Sequence, residues 1–119
     1  MDGEISADGL WELLQADEPV RIVDIRSPMQ FSRKRIPGSE NVPFAELTAR
    51  IEEFSGDDHI VTVCPYGQSS IQAARLISSF EGFDGHVESL SSGIDEWPYE
   101  FETGDRPVSD GADATDAPF

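Results

Sequence analysis

The stretch Ile60-Val61-Thr62-Val63-Cys64-Pro65-Tyr66-Gly67-Gln68-Ser69-Ser70 holds the only cysteine of the 119-residue chain, at the point where an apolar run breaks into a glycine-containing turn. Ile60 to Val63 has the branched apolar character of a buried strand. Beyond the turn, Ile71, Ala74, Ile77 and Phe80 recur at helical spacing and Gly82 lies past the end, so a helix follows. Strand, tight turn and helix in that order are the repeating half of an α/β fold, and the rest of the chain extends the pattern.

Upstream, Ser6 is placed to cap a helix over residues 6 to 16, with Leu10, Leu13 and Leu14 on one face and Pro19 preventing its continuation. Val20 to Ile25 reads as another buried strand, ended by Ser27-Pro28. Pro43 opens a second helix with Phe44, Leu47, Ile51 and Phe54 on one stripe, closed by Ser55-Gly56-Asp57-Asp58. Downstream, His86 to Leu90 reads as one more strand, and Gly93 to Trp97 as a short turn or helix before Pro98. Strands alternating with helices predict one α/β domain with a mainly parallel central sheet flanked by helices on both faces. The domain is expected over residues 1–102. Residues 103–119 show no apolar periodicity and carry Asp105, Asp110, Asp113 and Asp116, which predicts an acidic, disordered tail.

The 24 acidic residues against 8 basic ones give a net charge of −16, and Lys34 is the sole lysine. That balance argues against nucleic acid or an anionic membrane surface as partner. It resembles the composition of cytosolic proteins from organisms that keep high internal salt, where a Debye length of ~3 Å at 1 M screens self-repulsion. A merely acidic protein without that habitat is the alternative. No apolar run approaches membrane-spanning length, and the N-terminal MDGEIS lacks the basic and apolar regions of a signal peptide, so a soluble, cytoplasmic protein is expected. A single cysteine excludes an internal disulfide and, counted with His59 and His86, argues against a structural zinc site.

Ligands of open α/β sheets bind beyond the carboxyl ends of the strands. Cys64 follows its strand directly and is expected at that edge, whereas His59 and His86 precede theirs and belong at the opposite one. A Cys–His nucleophile pair is therefore not expected. A turn of backbone N–H groups leading into a helix N-terminus stabilises a thiolate without any charged side chain. Gly67 permits a positive φ, and the hydroxyls of Ser69 and Ser70 add donors. The same position also suits a small buried hydrophobe at a strand end. Position alone leaves both readings open.

Cys64-Pro65-Tyr66-Gly67-Gln68-Ser69-Ser70 resembles the active-site loop of rhodanese-family sulfurtransferases: a cysteine, two residues, glycine, one residue, arginine, then serine or threonine. Asp24-Ile25-Arg26 with Phe31 is similar to the family's Asp-Val-Arg segment and downstream Glu-Phe. Ile36 through Pro43 (IPGSENVP) resembles its Ile-Pro-Gly-Ala-x-Asn-Ile-Pro, and Gly93 through Trp97 its closing glycine-to-tryptophan motif. The resemblance implies a single rhodanese-like domain in which Cys64 is the catalytic nucleophile. It takes a sulfane sulfur from a small or protein donor, holds it as a persulfide and passes it to a nucleophilic acceptor, with Pro65, Tyr66, Gly67, Gln68, Ser69 and Ser70 as the substrate loop. Neither a metal nor an organic cofactor is implied.

Two departures from the family loop bear on substrate. Its arginine falls at Ser69, and Pro65 removes one N–H from the anion cradle. Thiosulfate, a small dianion, is therefore expected to be a poor donor. A non-catalytic rhodanese-like binding module is the alternative, against which the retained Cys64 counts. A phosphatase or arsenate reductase of related fold needs an arginine where this chain has Ser70. Asp24 and Arg26 are supporting residues with two readings, contact with substrate or, as favoured here, tying the strand end to nearby backbone, since buried charges must be paired. Arg33-Lys34-Arg35 reads as a solvated basic patch or a hold for an acidic partner or anionic donor. Trp11 and Trp97 read as packing residues, and Tyr66 as an aromatic wall of the pocket.

Overall fold

The computed structural model describes residues 2–104, so most of the expected tail lies outside the described residues. In chain order the elements are β1 (Asp2–Ile5), α1 (Ala7–Gln15), β2 (Arg21–Asp24), α2 (Pro28–Arg33), β3 (Glu40–Asn41) and α3 (Phe44–Leu47). A 3-10 turn (Ile51–Phe54), β4 (His59–Val63), α4 (Ser69–Ser79), β5 (His86–Leu90) and a second 3-10 turn (Ile94–Glu96) follow. The strands form one sheet in the order β1-β5-β4-β2-β3, with every pair parallel. This is the α/β architecture that the alternation of strands and helices predicts.

Helices cover both faces because the strands alternate their apolar side chains. Val23, Ile25, Ile60 and Val87 pack with Leu47, Phe54, Ala73, Ala74 and Ile77 on the side of α3 and α4. Ile22, Val61, Val63 and Leu90 pack with Leu10, Ile36, Ile94 and Trp97 on the side of α1. Trp11 and Trp97 meet edge to face at 6.3 Å, and Tyr99 stacks on Trp11 at 4.5 Å, which closes the second core.

Four local features depart from the sequence reading. Asp2–Ile5 forms a strand despite carrying one apolar residue, because it pairs along its length with β5 at the sheet edge. Pro28 starts a helix as well as ending the preceding strand: Ser27 accepts the Gln30 N–H at 3.3 Å in a capping box, and proline suits a first helical turn. The stripe Phe44, Leu47, Ile51, Phe54 does not lie on one helix. It divides into α3 and a 3-10 turn, which bury Leu47 and Phe54 and leave Phe44 exposed. On α4, Ala73 is buried where Ile71 is only half-buried.

The basic trio also separates. Arg33 and Lys34 are exposed, but Arg35 is only 3% exposed and is not part of a solvated patch. Its guanidinium donates to the carbonyls of Phe31 (3.1 Å) and Gly104 (2.7 Å) and pairs with Glu102 at 3.3 Å. Arg35 and Glu102 also exchange backbone hydrogen bonds at 2.9 and 2.8 Å, so packing of the domain continues as far as Gly104. Among the described residues no helix is long and apolar enough to cross a membrane.

Candidate active site

Cys64 follows the last residue of β4 and is separated from α4 by the four residues Pro65 to Gln68, at the carboxyl edge of the sheet. His59 and His86 open β4 and β5 at the other edge. The thiol is almost enclosed, with Cys64 2% exposed. Its Sγ accepts the N–H of Gly67 at 3.1 Å and that of Ser70, the second residue of α4, at 3.3 Å. The Ser70 hydroxyl stands 3.3 Å from the sulfur.

These donors decide the acidity of the thiol. Burial alone pushes the Cys64 pKa up and is the largest single influence. Against it act the Ser70 hydroxyl and then the N–H groups of Ser70, Tyr66 and Gly67, and together they hold the thiol below its ordinary value. Pro65 offers no N–H, so the cradle is built from the residues after it.

The cradle keeps its shape through contacts outside the loop. Gly67 has φ +81°, and a Cβ there would lie 2.1 Å from the Ser91 carbonyl oxygen. Gly93 has φ +74°, and a Cβ there would lie 2.4 Å from the Pro65 oxygen. Two glycines 26 positions apart in sequence thus permit the same close approach of backbones. The amides of Ile94 and Asp95 then donate to the carbonyls of Cys64 and Pro65, both at 2.9 Å. Thr62 Oγ1 donates to the Ser70 carbonyl at 2.7 Å, which fixes the start of α4 against β4.

The remaining loop residues of the sequence reading divide by exposure. Gly67 and Ser70 lie inward, whereas Tyr66, Gln68 and Ser69 face solvent, with Tyr66 69% exposed. Asp24 and Arg26 do not touch the thiol in any described contact. They pair with each other, Arg26 Nη2 lying 2.7 Å from Asp24 Oδ2 and Nε 2.9 Å from Oδ1. Arg26 also donates to the Lys34 carbonyl at 2.6 Å, and the Asn41 amide donates to the carbonyls of Asp24 and Arg26 at 3.0 and 2.9 Å. Both charges are buried and spent on the strand end.

Ser89 escaped the sequence reading. It is buried on β5, opposite Thr62, with its hydroxyl 2.6 Å from that of Ser70. Its place two residues along the strand from buried Val87, and so on the same face, is the available signal, since a buried hydroxyl must find a partner. Which partner it finds depends on the register of β4 and β5.

Fold and site together define a class: parallel α/β domains that present one cysteine in a ring of backbone donors at the carboxyl edge of the sheet. The chain belongs to the rhodanese-like domain family, whose sequence profile matches residues 6–100. It is 32% identical over 97 residues to a sulfurtransferase of Allochromatium vinosum, covering 82% of this chain and 89% of that one. It is 30% identical over 94 residues (79% of this chain) to YrkF of Bacillus subtilis, and 33% identical over 103 residues (85% of this chain) to the HTH-type transcriptional regulator Rv0324 of Mycobacterium tuberculosis. Of those two longer relatives it spans only 50% and 43%. Among solved structures, a rhodanese-like domain protein from Staphylococcus aureus superposes with a TM-score of 0.75 at 24% identity, over 87% of this chain and 98% of that one.

Proposed function

We propose that the protein is a sulfur-transfer or sulfur-relay protein working through a persulfide on Cys64. The Cys64 thiolate attacks the outer sulfur of a sulfane donor. A new S–S bond forms, the donor's own bond to that sulfur breaks, and the leaving group departs with the electron pair. The terminal sulfur, now anionic, lies among the same N–H groups. A nucleophilic acceptor attacks it, and Cys64 leaves as thiolate. Sulfur moves at one oxidation level throughout, so no external oxidant or reductant enters.

The observation that carries this reading is the convergence of the Gly67 and Ser70 N–H groups and the Ser70 hydroxyl on Cys64 Sγ. The donor is a small sulfane compound or a persulfidated protein, and the loop from Cys64 to Ser70 selects it. That loop holds no basic side chain, so selection does not favour a small dianion. The proposed setting is the cytoplasm of a cell with high internal salt, supported by the charge of −16.

Intact mass spectrometry of the reduced protein after incubation with thiosulfate, a polysulfide or a low-molecular-weight persulfide tests the reading. One added sulfur, absent from Cys64→Ser and removed by a thiol acceptor, is the expected result. No adduct from any of these donors would instead favour a non-catalytic binding module.

A further inference from the structure

Both histidines of the chain meet at the edge of the sheet farthest from the thiol. His59 and His86 are the first residues of neighbouring strands and stand opposite each other in the β4–β5 register. Their rings lie 5.3 Å apart. Glu88, two residues along β5, points to the same face as His86, because side chains alternate along a strand. Its carboxylate lies between the imidazoles: Oε2 is 2.6 Å from His59 Nε2, and Oε1 is 3.3 Å from His86 Nε2. One ligand atom from each of the three residues falls within 4.8 Å of the others. Counting Cys64 with the histidines gives no plausible metal set; the strand register replaces it with Glu88.

We propose that His59, His86 and Glu88 form a site for a borderline divalent cation, Zn²⁺ or its imidazole-preferring neighbours Co²⁺ and Ni²⁺. Two imidazoles and one carboxylate are the donors that such ions select, whereas Mg²⁺ and Ca²⁺ prefer oxygen alone. Ligand atoms bound at about 2.0–2.1 Å in a tetrahedron stand about 3.3 Å apart, and the three here lie within 4.8 Å of one another, so rotations of the side chains admit the ion. The site is open on one side. Gly3 is paired with Glu88 on β1, and a Cβ at Gly3 would meet nothing within 4 Å. A fourth position is thereby left for water or a ligand from outside the chain. Glu88 is largely covered and His86 half-exposed, so the carboxylate is fixed while an ion has a way in.

Bound metal would tie β4 to β5 at the first rung of their pairing. Five residues of strand, at about 3.3 Å each, separate His59 from Cys64, so the ion sits roughly 16 Å from the thiol and takes no part in sulfur chemistry. The proposal does not depend on the persulfide reading.

The test uses the full chain without a histidine tag, as Cys64→Ser so that no thiolate competes, in salt at which circular dichroism shows it folded. Titration with Co²⁺ is expected to give a tetrahedral visible absorption that saturates at one ion per chain and is displaced by Zn²⁺. Zn²⁺ is expected to raise the melting temperature, since it binds the native state alone. His86→Gln, at a position whose side chain is 47% exposed and so without consequence for folding, should weaken Zn²⁺ binding at least tenfold, on the order of the loss from disturbing a metal ligand's surroundings. Mg²⁺ at equal concentration should produce neither effect. If His86→Gln binds Zn²⁺ as tightly as its parent, or Mg²⁺ matches Zn²⁺, the ions are held by the acidic surface at large and the proposal falls.

Discussion

The Ser70 hydroxyl stands 3.3 Å from Cys64 Sγ and, on its other side, 2.6 Å from the Ser89 hydroxyl. Ser70 can therefore donate to the sulfur while it accepts from Ser89, so β5 reaches the thiol through one intermediary. Ser70→Ala should raise the Cys64 pKa and slow its alkylation several-fold at neutral pH. Ser89→Ala should act in the same direction and less strongly. Alkylation rate against pH measures both, and identical profiles for all three proteins would mean that the hydroxyls do not matter to the thiolate.

The direction of that shift also sets a pH dependence of stability. A thiol whose folded pKa is depressed loses its proton in the native state before the unfolded chain does. Its contribution is complete above the ordinary thiol value of ~8.5 and disappears as pH falls through the native midpoint. Urea unfolding across this range should show stability rising with pH, and Cys64→Ser should remove the increment.

Ser69 occupies the place where the resembling loops carry arginine, and it faces solvent at the first turn of α4. A guanidinium there offers a dianion charge-assisted hydrogen bonds worth ~1.5–3 kcal/mol, or roughly one to two powers of ten in binding. Ser69→Arg should raise thiosulfate:cyanide sulfurtransferase efficiency by about that factor, and Cys64→Ser should abolish transfer in both backgrounds. The comparison belongs at the lowest salt where dichroism shows both variants folded. A wild type already fast with thiosulfate and unchanged by Ser69→Arg would refute the assignment of poor thiosulfate use to this position.

Breaking the buried Asp24–Arg26 pair from one side leaves an uncompensated charge. Arg26→Ala should cost about 3–5 kcal/mol in chemical denaturation, far more than loss of an exposed ion pair such as Arg50–Glu46. The double variant Asp24→Asn, Arg26→Ala should recover part of the loss. Equal destabilisation by Arg26→Ala and Arg50→Ala would contradict the buried role.

With −16 on a chain of 119 residues, removal of screening ions should lower the melting temperature by several degrees between molar and low salt. Melts followed by dichroism decide it, and coincident curves would discard the high-salt setting while leaving the thiol chemistry untouched.

Strands rich in branched residues and helices with clear apolar faces were legible in the sequence, as was the placement of Cys64 at the carboxyl edge. Features that exist only through pairing were not. Asp2-Gly3-Glu4-Ile5 carries no strand pattern of its own and becomes one because β5 offers a free edge. Glu40–Asn41 is two residues long and is visible only beside β2. The contacts of Ser89 with Ser70, and of the two histidines with Glu88, likewise depend on strand register, which periodicity within one segment does not fix. Arg35 looked solvated because its neighbours are charged. Its partners, Glu102 and Gly104, lie 67 and 69 residues away.

The reciprocal seating of Gly67 and Gly93 bears on how this chemistry could be transplanted. A peptide from Ile60 to Phe80 would contain the whole cysteine loop and its helix, yet it would lack the amides of Ile94 and Asp95 and the carbonyl of Ser91 against which the loop is moulded. Grafted alone onto another α/β scaffold, the seven residues from Cys64 to Ser70 would flex and the sulfur would behave as an ordinary thiol. The smallest portable unit is the pair of crossing segments, 64–70 and 89–95, together with the two strands that hold them in step.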